Sequence, residues 1–120
     1  MHKPTSSDLA ELERTLRAMR IDTIEAIRAR LHEPDSGQPR SLGSMLGEGD
    51  RAVEDMLTDN EVALIRHELA TLHDIDNAIK RIEFDVGGIC TECGAPIPIA
   101  RLRAMPTAAT CIACAVAHAH

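Results

Sequence analysis

Four cysteines are the residues in this chain best suited to chemistry. They fall as Cys90-x2-Cys93, seventeen intervening residues, then Cys111-x2-Cys114. A two-residue gap lets both sulfurs of a pair turn inward onto one ion at about 2.3 Å, and the second pair supplies the opposite edge of a tetrahedron. The spacing therefore predicts one structural zinc ion held by Cys90, Cys93, Cys111 and Cys114. Two disulfides would require an oxidising compartment, and the stretch from Met1 to Asp8 contains no apolar core of a secretory signal. A thioredoxin-like C-x-x-C would want a βαβ setting, and none surrounds either pair.

The neighbouring residues fit a metal knuckle. Gly94 follows the second cysteine, where a sharp turn favours φ > 0. Cys111 opens the run Ile112-Ala-Cys114-Ala-Val-Ala, a short helix whose N-terminal end would lie near the thiolates. Arg101 and Arg103 are either nearby counter-charges for the anionic cluster or solvated surface residues.

These residues carry a resemblance. The pattern G-x-C-x-x-C-G-x-x-I-x-x-x-R-L-x-A-x-P-T-A-x-x-C-I-x-C, carried by Gly88, Cys90, Cys93, Gly94, Ile97, Arg101, Leu102, Ala104, Pro106, Thr107, Ala108, Cys111, Ile112 and Cys114, resembles the zinc-finger signature of the bacterial DnaK-suppressor (DksA/TraR) family. Gly87 stands where that family usually has an aromatic residue.

The rest of the chain must position the cluster. Its 120 residues with a net charge of −6 suit one acidic protein that bare nucleic acid or an anionic membrane would repel. With Phe84 as the sole aromatic residue, aliphatic seams between helices are easier to build than a thick core. No apolar run approaches the ~20 residues of a membrane span, and a reducing cytoplasm is the expected location.

Leu9, Leu12, Leu16, Met19 or Arg20, Ile24, Ile27 and Leu31 recur at helical steps. They predict a helix over 7–33, capped by Ser7 or Asp8 with Glu11 closing a capping box, after a polar, flexible lead-in. Pro34 ends it. Residues 34–50 are dense in Gly, Pro and Ser and read as a loop.

A second helix is expected over 50–86, with Val62, Ile65, Leu69, Leu72, Ile75, Ile79, Ile82 and Val86 as the seam of an antiparallel hairpin. At about 1.5 Å per residue it would extend roughly 54 Å. Residues 51–89 carry nine acidic against four basic side chains, a solvated face or a surface for a basic partner. The fold class is all-α: a helical hairpin over 1–86 with its tip near 34–50, then a C4 finger and short C-terminal helix over 87–120.

The family resemblance implies more. Such proteins are non-enzymatic regulators, usually monomeric, that bind RNA polymerase and insert the hairpin through its secondary channel. Their tip motif D-x-x-D-x-A corresponds here to residues 47–52, so Asp50 and Ala52 match, Gly47 replaces the first acid and Glu48 stands one position along. Many act with guanosine tetraphosphate. A pyrophosphate site at the finger needs several cations, and no Lys or Arg follows Arg103, so synergy is expected to be weak or absent. The alternative is a zinc module that binds nucleic acid or another protein without entering the channel. Direct nucleic-acid binding is disfavoured because Arg101 and Arg103 are the only cations between Cys90 and Cys114.

Overall fold

The structure, a computed structural model, describes residues 3–31 and 57–118. Four helices lie among them: α1 (Ser6–Leu31), α2 (Asp59–Glu83), α3 (Ile99–Ala104) and α4 (Ile112–Ala117). The chain is all-α, a helical hairpin followed by a small cysteine-rich finger. The tip residues Glu48, Asp50 and Ala52 lie outside the described residues.

Both long helices start on a threonine capping box. Thr5 N–H donates to Asp8 Oδ2 (2.9 Å) while Asp8 N–H donates to Thr5 Oγ1 (3.1 Å). Thr58 and Glu61 repeat this arrangement at 3.1 and 3.2 Å. Each box satisfies two backbone donors that a helix start would leave unpaired. The first helix therefore begins on Thr5, upstream of the expected Ser7 or Asp8 cap, and Asp8 pairs backward with Thr5 instead of forward with Glu11. The second starts at Asp59, not at 50, because Thr58 stops it. Its 25 residues extend about 37 Å instead of the expected 54 Å.

Its other end is a Schellman motif. Val86 N–H donates to Arg81 O (2.8 Å) and Asp85 N–H to Ile82 O (3.1 Å), with Asp85 in the left-handed region at φ 63°. Helix α2 thus ends at Glu83, and Val86, expected on the seam, is 46% exposed. Gly87 follows so close to the helix that a Cβ there would sit 2.7 Å from Ile82 Cγ1. An aromatic side chain, expected at this position in the family, would require a different path out of the helix.

The described residues pack as two compact units, 3–20 with 74–118, and 21–31 with 57–73. In the first, Leu12 and Leu16 of α1 meet Ile75, Ala78 and Ile79 of α2, and Cys90, Ile97, Leu102 and Ala108 of the finger complete the same buried cluster. In the second, Ile27 and Leu31 pack with Ile65 and Leu72, flanked by Ile24, Leu57 and Leu69. Leu16, Ile27, Leu31, Ile65 and Ile75 are wholly buried, each such side chain contributing about 1.5–3 kcal/mol.

Arginines of α1 pair with acids of α2. In the first unit Arg17 Nη2 lies 3.8 Å from Glu83 Oε1 and Arg20 Nε 2.7 Å from Asp76 Oδ1, an order that runs antiparallel. In the second, Arg30 binds Glu68. These pairs are solvent-accessible and worth at most about 1 kcal/mol each. They fix register and engage three of the acids that had made α2 a candidate surface for a basic partner.

Candidate metal centre

Residues 88–97 fold back on themselves to present the first cysteine pair. Ile97 N–H donates to Gly88 O (2.7 Å), Cys90 N–H to Ala95 O (2.8 Å) and Gly94 N–H to Cys90 O (3.0 Å), with Ile89 bridged antiparallel to Pro96. Gly94 turns the chain at φ 76°, as its place after Cys93 implies. Cys90 is 2% exposed and belongs to the buried cluster, whereas Cys93 is exposed.

The second pair is delivered by the start of α4. Cys111 is its N-cap with extended backbone, and Ala115 N–H donates to Cys111 O (2.9 Å). The intervening segment is tied down from several sides. Thr91 N–H donates to Ala109 O (2.9 Å), Arg101 Nε to Thr110 O (2.8 Å) and Arg81 Nη2 to Thr107 O (3.4 Å). Burial pulls the Arg81 guanidinium below its ordinary value, with Asp74 acting in the opposite direction.

All four sulfurs lie within 4.8 Å of one another, and Cys93 Sγ and Cys111 Sγ are 3.8 Å apart. A tetrahedron with metal–sulfur bonds of about 2.3 Å has edges of about 3.8 Å. The protonation of the cluster points the same way. The Cys93 backbone N–H, more than any other group, pulls the Cys90 thiol down to about 6, while hydrogen bonding to the Cys111 side chain, above all, pushes Cys114 up to about 12. Sulfurs this crowded cannot all be thiolates without a cation between them. Donor type, number and spacing fit zinc.

Arg101 and Arg103, read as either counter-charges or solvated surface residues, each have a partner elsewhere. Arg101 holds the Thr110 carbonyl next to Cys111, and Arg103 faces Asp8 Oδ1 at 3.6 Å. The lead-in before α1 is also engaged: a Cβ on Gly88 would meet Pro4 Cγ at 3.1 Å, so Pro4 lies against the knuckle. Sequence reasoning missed Arg81, whose helical position gave no sign of its reach to Thr107. It also missed both threonine caps, although T-x-x-D and T-x-x-E were there to be found.

The model of the prokaryotic DksA/TraR C4-type zinc finger matches residues 86–119. An uncharacterized protein of Haemophilus influenzae is 39% identical over 64 residues, covering 52% of this chain and 85% of its own. The chain belongs to the DksA/TraR family of C4-type zinc finger proteins. A second relative, the uncharacterized YteA of Bacillus subtilis, is 44% identical over 62 residues, 52% of this chain but only 26% of its own length. This DksA/TraR chain thus matches about a quarter of YteA. In fold it is similar to the transcription factor DksA2 of Pseudomonas aeruginosa, with a TM-score of 0.72 at 23% identity over 95% of this chain and 84% of the other. The expected family and fold class are both correct, and the finger binds zinc.

Proposed function

We propose that this protein is a non-enzymatic transcription regulator that binds RNA polymerase through its secondary channel and modulates initiation with the segment 48–52. The observation that carries this reading is a C4 finger of the DksA/TraR type built into the same apolar cluster as two long helices. A free-standing nucleic-acid finger has no need of that base. The net charge of −6 speaks against direct binding to DNA or RNA.

In this reading Cys90, Cys93, Cys111 and Cys114 hold one zinc ion. The metal cross-links the two C-x2-C segments and neutralises their thiolates, while the chain supplies the backbone turns and the Arg101–Thr110 bond that bring the sulfurs together. Asp50 is the carboxylate that reaches the polymerase catalytic centre, with Glu48 and Ala52 beside it. The protein works as a cytoplasmic monomer, with weak or no guanosine tetraphosphate synergy. Among the described residues no helix is long and apolar enough to cross a membrane.

A photo-crosslinking residue placed at Ala52 tests the reading. It is expected to label the polymerase subunit that forms the catalytic centre. Labelling confined to the enzyme's outer surface, or none under conditions where the protein co-purifies with polymerase, would overturn it.

A further inference from the structure

Beside the finger, the first turns of α1 and the short helix α3 enclose a cleft of about 190 Å³ within the first unit. Its floor is apolar: Leu12 and Leu102 are 8% and 1% exposed, and Ile99 lies beside them. Its rim carries the carboxylates of Asp8 and Glu11 and the guanidinium of Arg103. Leu12 and Leu102 belong to the same apolar cluster as Cys90, and Ile99 packs against it.

Size and charge narrow the occupant. Small-molecule sites usually enclose roughly 300–1,000 Å³, so the cleft is too small for a cofactor and sized for one side chain. Arg103 already faces Asp8, whereas no ion pair joins Glu11 to another described residue. The rim therefore keeps an excess of one negative charge, placed next to an apolar floor that is set firmly in the core. An apolar socket beside an uncompensated charge is how a protein surface seats an anchoring side chain and fixes its direction.

We propose that this cleft seats one aliphatic side chain of a partner polypeptide whose adjacent lysine or arginine pairs with Glu11. The cleft is separate from the segment 48–52, and the inference does not depend on the polymerase reading. The docked residue supplies apolar burial, and its basic neighbour supplies orientation at the Glu11 side of the rim.

The test is an amide-resolved NMR titration of the zinc-loaded full chain with N-acetyl-leucyl-arginine amide, and in parallel N-acetyl-leucyl-aspartate amide. The arginine probe is expected to give saturable shifts at Leu12, Ile99, Leu102 and Arg103 below roughly 20 mM, the range open to so small a ligand. Glu11→Lys, an exposed change outside the capping box, should weaken it about three- to tenfold while leaving the unliganded core spectrum in place. Three outcomes would overturn the proposal. They are no saturable shift at these amides, equal or tighter binding of the aspartate probe, which would make Arg103 the recognising group, and shifts at the cleft on concentrating the protein alone, which would assign it to a second copy of the chain.

Discussion

The turn that ends α2 makes a prediction of opposite signs two residues apart. Asp85 sits at φ 63°, where an L-residue with a Cβ pays roughly 1–2 kcal/mol, toward the lower end for aspartate. Glycine removes that cost but widens the unfolded ensemble by about 0.4–1 kcal/mol. Asp85→Gly should therefore stabilise the first unit by about 0.5 kcal/mol. Gly87→Ala acts in the other direction, because the new Cβ would lie 2.7 Å from Ile82 Cγ1 and 3.0 Å from Ile82 Cα. The second atom is backbone and cannot rotate away, so the overpacking should cost about 1–3 kcal/mol. Native-state hydrogen exchange at the α2 amides of Ile75 and Ile79, on zinc-loaded protein, reads both. Slower exchange for the glycine variant and faster exchange for the alanine variant are expected. If Asp85→Gly speeds exchange, or if Gly87→Ala is silent, the helix does not end in the Schellman turn described and this account of its stop is wrong.

Other consequences follow from the packing. Chelation of zinc should speed exchange at Leu12, Leu16 and Ile75 as well as in the finger, because Cys90 shares their cluster; a loss confined to residues 88–114 would refute the shared core. Arg101→Ala removes a charge-assisted bond to the Thr110 carbonyl worth about 1.5–3 kcal/mol, and competition with a chromophoric chelator should show zinc affinity lowered at least tenfold. Ile65→Ala empties a wholly buried site in the second unit and should cost about 2–5 kcal/mol in exchange at Ile27 and Leu31 amides. Acidification should release zinc, since protons and metal compete for the same sulfurs. Zinc retention in a pH series should fall as pH drops, and Cys90, held down near 6 chiefly by the Cys93 backbone N–H, is a sulfur for which protons compete weakly.

Much of this was written in the chain itself. The cysteine spacing forecast a cluster whose sulfurs now lie within 4.8 Å, and the three- and four-residue steps picked out Leu12, Leu16, Ile27, Ile65 and Ile75 as buried. The helix limits were less legible, because hydrophobic period does not register where a side chain first caps the backbone. Thr5 and Thr58 decide that locally, and Asp85 ends α2 in a conformation more often taken by glycine. The finger's share of the core was not legible either. Its Ile97, Leu102 and Ala108 are spread over a proline-rich stretch without period, and they form a core only by meeting α1 and α2. Nor does a run of acids reveal its partners: Asp76, Glu68 and Glu83 meet arginines of α1 more than thirty positions away.

The regulatory claim is tested most directly by the lifetime of an open complex formed by bacterial RNA polymerase at a ribosomal-RNA-type promoter, with and without the zinc-loaded protein and its Asp50→Asn variant. The account predicts a shortened lifetime with the native protein that the substitution restores, because one carboxylate at the tip does the work. An unchanged lifetime despite demonstrable polymerase binding, or an equal effect from Asp50→Asn, would contradict it.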